Sequence, residues 1–369
     1  MKLDLVRLQD FRNLTSVSLT PSPSVNLVVG QNGSGKSSLL EGLHFLGFGR
    51  SFRTNKHRNV IQHDKKAFHV FGQGLDGQGR LRKLGVSRGN DDSITVNIDG
   101  EHSHRVAALV SQIPMQIFTP QSSDIIIGSP SLRRKHLDWG VFHVEHGFAM
   151  ASGHYRRCLS HKNALLKSGS KGSGWQQQDN YWTEQLISSG KTITDYRIQF
   201  LNAIQPYLSQ NLSQFLPEFC VEISYHRGWD KEASLEESIQ QKAEKDQRFG
   251  FLSVGPHKAD LKIKADGHDA AERLSRGQMR MLIAALQLAQ AQYLNSKHQK
   301  DCVFLLDDVG AELDAGKREV FVDELLACSA QVFVTAIEQQ QVPFIKKYND
   351  YKLFHVEHGH VEEENDPNG

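Results

Sequence analysis

The sequence predicts an α/β fold in which a mixed sheet with an antiparallel β subdomain is interrupted by an inserted helical arm. Three observations predict it. An apolar run at 25–29, Val-Asn-Leu-Val-Val, leads into a glycine-rich turn and then a helical run from Lys36. A second apolar run at 302–306 ends in two carboxylates, Asp307 and Asp308. Between them, short alternating runs give way near 130 to long helical stretches, and strand-and-turn character returns near 251. The implied segments are 1–130 and 251–369 for the two parts of one domain and 131–250 for the arm.

A chain of 369 residues has room for two domains, and a net charge of +1 excludes a polybasic tail or an acidic solvating protein. Any nucleic-acid surface must therefore be local. Cys158, Cys220, Cys302 and Cys328 show no CxxC spacing and suggest neither a zinc site nor a disulfide framework. The N-terminus carries acid at once, and no stretch reaches the ~20 apolar residues of a membrane span, so a soluble, cytoplasmic protein is expected.

In chain order, 2–20 alternates around the turn-like Asp10-Phe11-Arg12-Asn13 and reads as a hairpin. The helix from Lys36 to about Gly47 is followed by the densest basic segment, which holds Arg50, Arg53, Lys56 and Arg58 with Phe52 among them. Residues 67–104 carry Asp76-Gly77, Gly89-Asn90 and Asp99-Gly100 between alternating runs, the chemistry of an antiparallel meander. A short helix at 106–112 and a strand at 115–118 lead to Gly128-Ser129-Pro130, and Pro130 opens a helix carrying Arg133, Arg134 and Lys135. Helical stretches at 132–166 and 180–216 flank a Gly/Ser run at 168–174, expected as a flexible loop at the arm's tip. A strand near 219–225 and a charged helix near 234–245 close the arm, and strand-and-turn character follows at 255–265. Leu274-Ser275-Arg276-Gly277-Gln278 then precedes a long amphipathic helix at 279–295. After Asp308, a helix at 316–328 and a buried strand at 331–335 complete the pattern.

The chemistry starts at Gly30-Gln31-Asn32-Gly33-Ser34-Gly35-Lys36-Ser37, which fills GxxxxGK[ST]. Glycines are required because the backbone curls around a β-phosphate and points several N–H groups inward, onto a helix N-terminus. Lys36 is placed to contact the β/γ-phosphates of ATP, and Ser37 to ligate Mg²⁺. The run ending at Asp307 delivers that carboxylate to the Mg²⁺ shell, while Asp308 is placed to orient the attacking water. Ser275, Gly277 and Gln278 combine a hydroxyl, a glycine N–H and a helix start, which also suits a phosphate, or else a simple N-cap.

Taken together, these motifs look like the ATP-binding-cassette (ABC) head, and their wording is similar to the RecF family of bacterial recombination proteins. Proline, an aliphatic pair, Gly-x-Pro, two arginines and Leu-Asp within 120–138, Gly255-Pro256-His257-Lys258-Ala259-Asp260-Leu261 and 307–314 also resemble that family's stretches. Gln121 and His136 depart from it, standing where an acid and an aromatic are usual. The resemblance covers essentially the whole chain and implies an ABC-type P-loop ATPase head related to SMC and Rad50.

In such heads two protomers sandwich ATP, the Lys36 loop of one facing Ser275, Gly277 and Gln278 of the other. The resemblance further implies ATP-dependent binding of gapped or junction DNA, recruitment of RecR with RecO, and assistance to RecA loading in repair, replication restart and SOS induction. Arg50, Arg53, Lys56, Arg58, Arg133 and Arg134 become DNA candidates, although the last pair could equally bond Asp138 or loop carbonyls. Asp308 and Thr335 stand where transporter cassettes have Glu and His, which implies a slow ATPase.

A transporter subunit is the alternative, disfavoured because the span from Ser37 to Ser275 is long and contains the arm. Coiled-coil chromosome proteins would need a far longer arm, and a metabolic kinase would leave Ser275 to Gln278 without a role. Gln116 is a weak candidate for a γ-phosphate sensor. The adenine-reading residue stays open. Phe-His-Val-Glu-His-Gly occurs at 142–147 and 354–359, but a helix and a strand would present the same imidazoles differently, so coincidence is the reading adopted over a metal site.

Overall fold

The computed structural model describes residues 1–103, 105–168, 172, 174–308 and 315–364. The 312–314 stretch and most of the Gly/Ser run lie outside them. Two compact units divide the chain, one comprising Met1–Ser123, Ser213–Phe215 and Arg276–Gly369, the other Asp124–Leu212 and Leu216–Ser275.

The first unit opens with the expected hairpin, β1 (Lys2–Phe11) and β2 (Leu14–Leu19), with Asp10 and Arg12 at φ 54° and 55°. Then come β3 (Val25–Val29), α1 (Lys36–Phe48), β4 (Ala67–Leu75), β5 (Leu81–Gly89), β6 (Ile94–Ile98), β7 (Glu101–Ser103), α2 (Val106–Val110) and β8 (Met115–Phe118). β2-β1-β4-β5-β6-β7 form one antiparallel sheet, the expected meander extended by the hairpin.

The second unit holds α3 (Asp124–Ile127), α4 (Pro130–Val144), α5 (Phe148–Ser168), most of α6 (Trp175–Phe215), β9 (Val221–His226), α7 (Leu235–Phe249), β10 (Asp260–Ala265), β11 (His268–Asp269) and α8 (Ala270–Arg273). The helical stretch read as continuous from 132 breaks between α4 and α5, where Gly147 packs against the Tyr196 hydroxyl. β9 pairs with β10, Ile223 opposite Ile263. That pairing keeps 255–265 in the second unit, so the return to the first falls at Arg276, later than the 251 expected.

The first unit resumes with α9 (Arg276–His298), β12 (Val303–Leu306), α10 (Ala315–Ala327), β13 (Gln331–Ala336), β14 (Tyr351–Glu357) and β15 (His360–Glu364). Its second sheet runs β15-β14-β3-β13-β12-β8, parallel from β14 to β8 with an antiparallel edge at β15. β3, β12 and β13 are buried at every residue, which is why they read as unbroken apolar runs rather than alternations.

α1 lies between the two sheets. A Cβ on Gly42 would come within 2.7 Å of Leu8 on β1, and one on Gly47 within 2.4 Å of Met115 on β8, so both glycines are closest-approach points. Phe45 packs edge-on to Phe11 and Phe68, with centroids 5.7 and 4.9 Å away. Buried Gln331, at the start of β13, ties the second sheet to the first by bonding both backbone groups of Leu3 on β1 at 2.8 Å, and it also donates to the Ser22 carbonyl at 2.7 Å. The core thus holds α1, and with it the loop ahead of it, in a fixed position.

Candidate phosphate-binding site

Gly30, Gly33 and Gly35 take φ of 153°, 81° and 126°, in the region L side chains avoid. Side chains at two of them would also collide, since a Cβ on Gly30 would stand 2.2 Å from the Val356 carbonyl oxygen and one on Gly35 2.9 Å from Asn13 Nδ2. Asn13 Nδ2 and the Gly359 amide both donate to the Ser34 carbonyl at 3.0 Å, so the β1–β2 turn and the β14–β15 turn brace the loop. Ser34 Oγ is buried with no hydrogen-bond partner among the described residues.

Lys36 begins α1, and its Nζ donates to the carbonyls of Gly30 at 2.5 Å and Gln31 at 3.0 Å. Burial lowers its pKa, and the Asp307 and Asp308 carboxylates oppose that shift. Asp307 follows β12. Its Oδ1 accepts from Ser37 Oγ at 3.2 Å and from Thr335 Oγ1 at 2.9 Å, while the Asp308 amide donates to Thr335 Oγ1 at 2.8 Å. Burial raises the Asp307 pKa against these donors. Lys36, Ser37, Arg53, Asp307, Asp308 and Thr335 line one cavity of about 240 Å³.

The sequence-predicted residues of the loop and the β12 end therefore meet at one place. A curled backbone at a helix N-terminus with an ammonium beside it suits an oxyanion. A hydroxyl and a carboxylate sharing a hydrogen bond offer hard oxygen ligands of the type Mg²⁺ takes. The donor set fits phosphate and metal together.

Sequence reasoning named Thr335 only as standing in a transporter histidine's place and Arg53 only as a DNA candidate; it missed their part in this cavity and the support behind α1. Glu41, fully buried on α1, accepts from Arg12 Nε at 3.0 Å and Nη2 at 2.7 Å and from Ser51 Oγ, and Arg53 approaches it at 3.6 Å. Arg12 Nη1 also donates to the Asn59 carbonyl at 2.6 Å. The basic segment is thus tied to the helix of the phosphate loop. Only the acid's position on an otherwise apolar helix could have signalled this.

Other candidates are placed differently. Arg50, Arg53, Lys56 and Arg58 are exposed, but Arg53 lines the cavity and Arg58 pairs with Asp92 at 2.9 Å. Arg133 is engaged inside the second unit, where Asp260 takes its Nε at 2.7 Å and Nη2 at 3.1 Å and the Ile126 and Gly128 carbonyls take its Nη1. Arg134 donates to the Ala259 carbonyl at 2.6 Å, and Asp138 is held by Arg197 at 2.7 Å. The pair thus bonds loop carbonyls, as the structural alternative to a DNA role expected, but with Asp260 rather than Asp138 as the acid. Gln116, the candidate γ-phosphate sensor, is buried on β8, where its Nε2 donates to Gln290 Oε1 at 3.1 Å, and it is not among the residues that line the cavity. Ser275 and Gly277, at the start of α9, are exposed, and Gln278 is half-buried. The first Phe-His-Val-Glu-His-Gly copy ends α4 and the second lies on β14 and its turn.

The RecF/RecN/SMC N-terminal domain family model matches residues 2–362. The DNA replication and repair protein RecF of Pseudoalteromonas atlantica is 54% identical over 99% of this chain and 100% of its own length. That of Edwardsiella ictaluri is 38% identical over 98% and 99%. A solved structure described as the recombination mediator protein RecF-ATP in the RecFOR pathway superposes with a TM-score of 0.88 at 26% identity, covering 99% of this chain and 98% of that one. An Smc head bound to the C-terminal winged-helix domain of ScpA shares the fold at a TM-score of 0.59 and 14% identity, over 99% and 97%. The fold is thus the ABC-type ATPase head.

Proposed function

We propose, from the premise that this chain belongs to the RecF family, that it is an ATP-gated DNA-binding protein of recombinational repair whose ATPase is slow. The observation that carries the reading is the meeting of Ser37 and Asp307, 270 positions apart in sequence, beside the Lys36 ammonium. Magnesium-bound ATP would bring the phosphate charge and the electrophilic phosphorus that this arrangement suits.

Lys36 would leave the Gly30 and Gln31 carbonyls for the β/γ-phosphates. Ser37 and Asp307 would turn from each other to the metal. Thr335 keeps Asp307 aimed and, through the Asp308 amide, fixes the backbone from which Asp308 would hold the attacking water. Aspartate's shorter reach compared with glutamate, and a threonine where other cassettes place a histidine, favour slow turnover. Ser275, Gly277 and Gln278 would then contact the γ-phosphate held by a second copy, making ATP the bond of a homodimer. Its loss on hydrolysis would open the dimer. Gapped or junction DNA would be the cargo and RecR, with RecO, the partner that leads on to RecA loading in repair, replication restart and the SOS response.

The test is anisotropy of labelled gapped DNA with ATP and Mg²⁺, with ADP and without nucleotide, across a salt series. Tight, salt-dependent binding is expected only with ATP. Lys36→Ala should abolish nucleotide binding, whereas Ser275→Arg should bind ATP and fail to dimerise. Equal ATP-driven dimerisation by Ser275→Arg and the parent would remove the sandwich.

A further inference from the structure

At the C-terminal end of α7 the second unit displays two phenylalanines outward. Phe249 is 55% exposed and Phe251 41%, with ring centroids 6.0 Å apart. They are held firmly rather than left on a loose loop. Gly250 caps α7 in the left-handed region at φ 72°, the Leu252 amide donates to Asn163 Oδ1 at 2.9 Å, and the Ser253 amide to Asp246 Oδ2 at 3.1 Å. Leu252 and Val254 are buried, and His257 Nε2 donates to the Leu252 carbonyl at 3.0 Å. Two large apolar rings fixed in water are a standing cost that a monomer has no reason to keep.

Cations surround them. Lys245 Nζ lies 6.0 Å from the Phe249 centroid and Lys258 Nζ 5.3 Å from that of Phe251, and Arg248 is exposed next to Phe249. Lys167 packs beside Gly250, within 2.9 Å of where its Cβ would be. None of these four cations forms an ion pair among the described residues. Of the neighbouring acids, Asp246 is buried and turned into the loop, and Glu244 is exposed one turn back along α7. Unpaired positive charge around rigid, exposed aromatic faces matches the chemistry of a single nucleic-acid strand, whose bases stack and whose phosphates follow the cations. A duplex keeps its bases stacked inside and offers the rings nothing.

We propose that Phe249 and Phe251, with Lys167, Lys245, Arg248 and Lys258, form a binding surface for single-stranded DNA. The inference rests on the DNA-binding reading above and assigns the strand part of a gap to this patch.

The test measures anisotropy of the full chain, with ATP and Mg²⁺, on labelled oligothymidylate, on the same strand with abasic sites and on duplex. Parent, Phe249→Ala/Phe251→Ala and Phe249→Tyr/Phe251→Tyr are compared. The parent should bind the base-bearing strand about 10-fold more tightly than the abasic one. The alanine variant should lose that difference while keeping duplex affinity, and the tyrosine variant should keep it. If the parent binds duplex but does not distinguish base-bearing from abasic strand, or if the alanine variant still does, this assignment alone is overturned. If the alanine variant loses ATP-dependent dimerisation with strand binding intact, the patch is an interface between copies. If the parent binds no DNA in any nucleotide state, the broader reading goes with it.

Discussion

Removing Arg12 tests whether a buried charge cluster props up the phosphate loop. Its guanidinium makes a two-point contact with Glu41 at 2.7 and 3.0 Å, and the Glu41 side chain is 0% exposed. Stripping one partner from a buried pair costs about 3–5 kcal/mol, because the remaining charge is left without its counterpart. Ser51 Oγ still donates to Glu41, and Arg53 at 3.6 Å can move closer, so Arg12→Ala should fall at the low end, about 3 kcal/mol. For a domain of roughly 150–250 residues that is a fall of about 6–12 °C in Tm. Arg12→Ala/Glu41→Leu should recover most of it, since an apolar group of similar size leaves no orphaned charge. Calorimetry of the parent, Arg12→Ala, Glu41→Leu and the double variant measures the cycle. If Arg12→Ala lies within about 1 kcal/mol of the parent, or the double variant is no more stable than the single, the cluster does not support α1 as argued.

Thr335→Val keeps shape and removes the hydroxyl that serves both Asp307 and the Asp308 amide. It should cost about 2 kcal/mol and weaken the Mg²⁺-dependent thermal shift given by ATP, while Thr335→Ser should retain both. Arg133→Gln should destabilise the second unit by about 3 kcal/mol because Asp260 loses a two-point partner, and leave the salt slope of DNA binding unchanged. A slope smaller by about one would return Arg133 to the DNA surface. Burial holds His257 neutral, with its pKa lowered from 6.5 to about 4. The unfolded chain therefore binds a proton that the folded chain refuses in that window. Stability should be complete above about pH 6.5 and decline toward pH 4, by up to about 3 kcal/mol from this residue. His44 and His136, lowered by burial to about 3 and about 4, add to the decline. His257→Gln should flatten the Tm-versus-pH curve between pH 6.5 and 4, and an unaltered slope would show that His257 does not drive it.

Elements whose pattern is local could be read from the chain alone. The phosphate loop, the strands at 115–118 and 303–306 and the Pro130 helix start all stand where residue type and spacing put them. What could not be read depends on positions far apart. Nothing in Glu41 announces Arg12, 29 residues earlier, and nothing in Thr335 announces Asp307. Gln116 reads as polar and available, yet its strand is buried and its amide is spent on α9. That 255–265 belongs with the second unit is not legible either, because β10 looks like any strand until β9 is seen beside it. The aromatic patch is not legible in the sequence, because nothing in the spacing of Phe249 and Phe251 around Gly250 says that both rings face outward.

The place of β3 in its sheet bears on how the protein is made. Val25 pairs with Val332 on one side and with Tyr351 on the other, so both neighbours of the phosphate-loop strand lie in the last part of the chain to be synthesised. At about 5–20 residues per second, a ribosome needs roughly 15–60 s between delivering β3 and delivering β13. During that interval β3, buried at every residue in the finished sheet, has no neighbouring strand to pair with, whereas the second unit emerges almost uninterrupted and can close on itself. The order of birth therefore has the parallel sheet of the ATPase fold completed last, after the antiparallel sheet and the arm have emerged, with the nascent phosphate-loop strand as the segment a chaperone would find exposed.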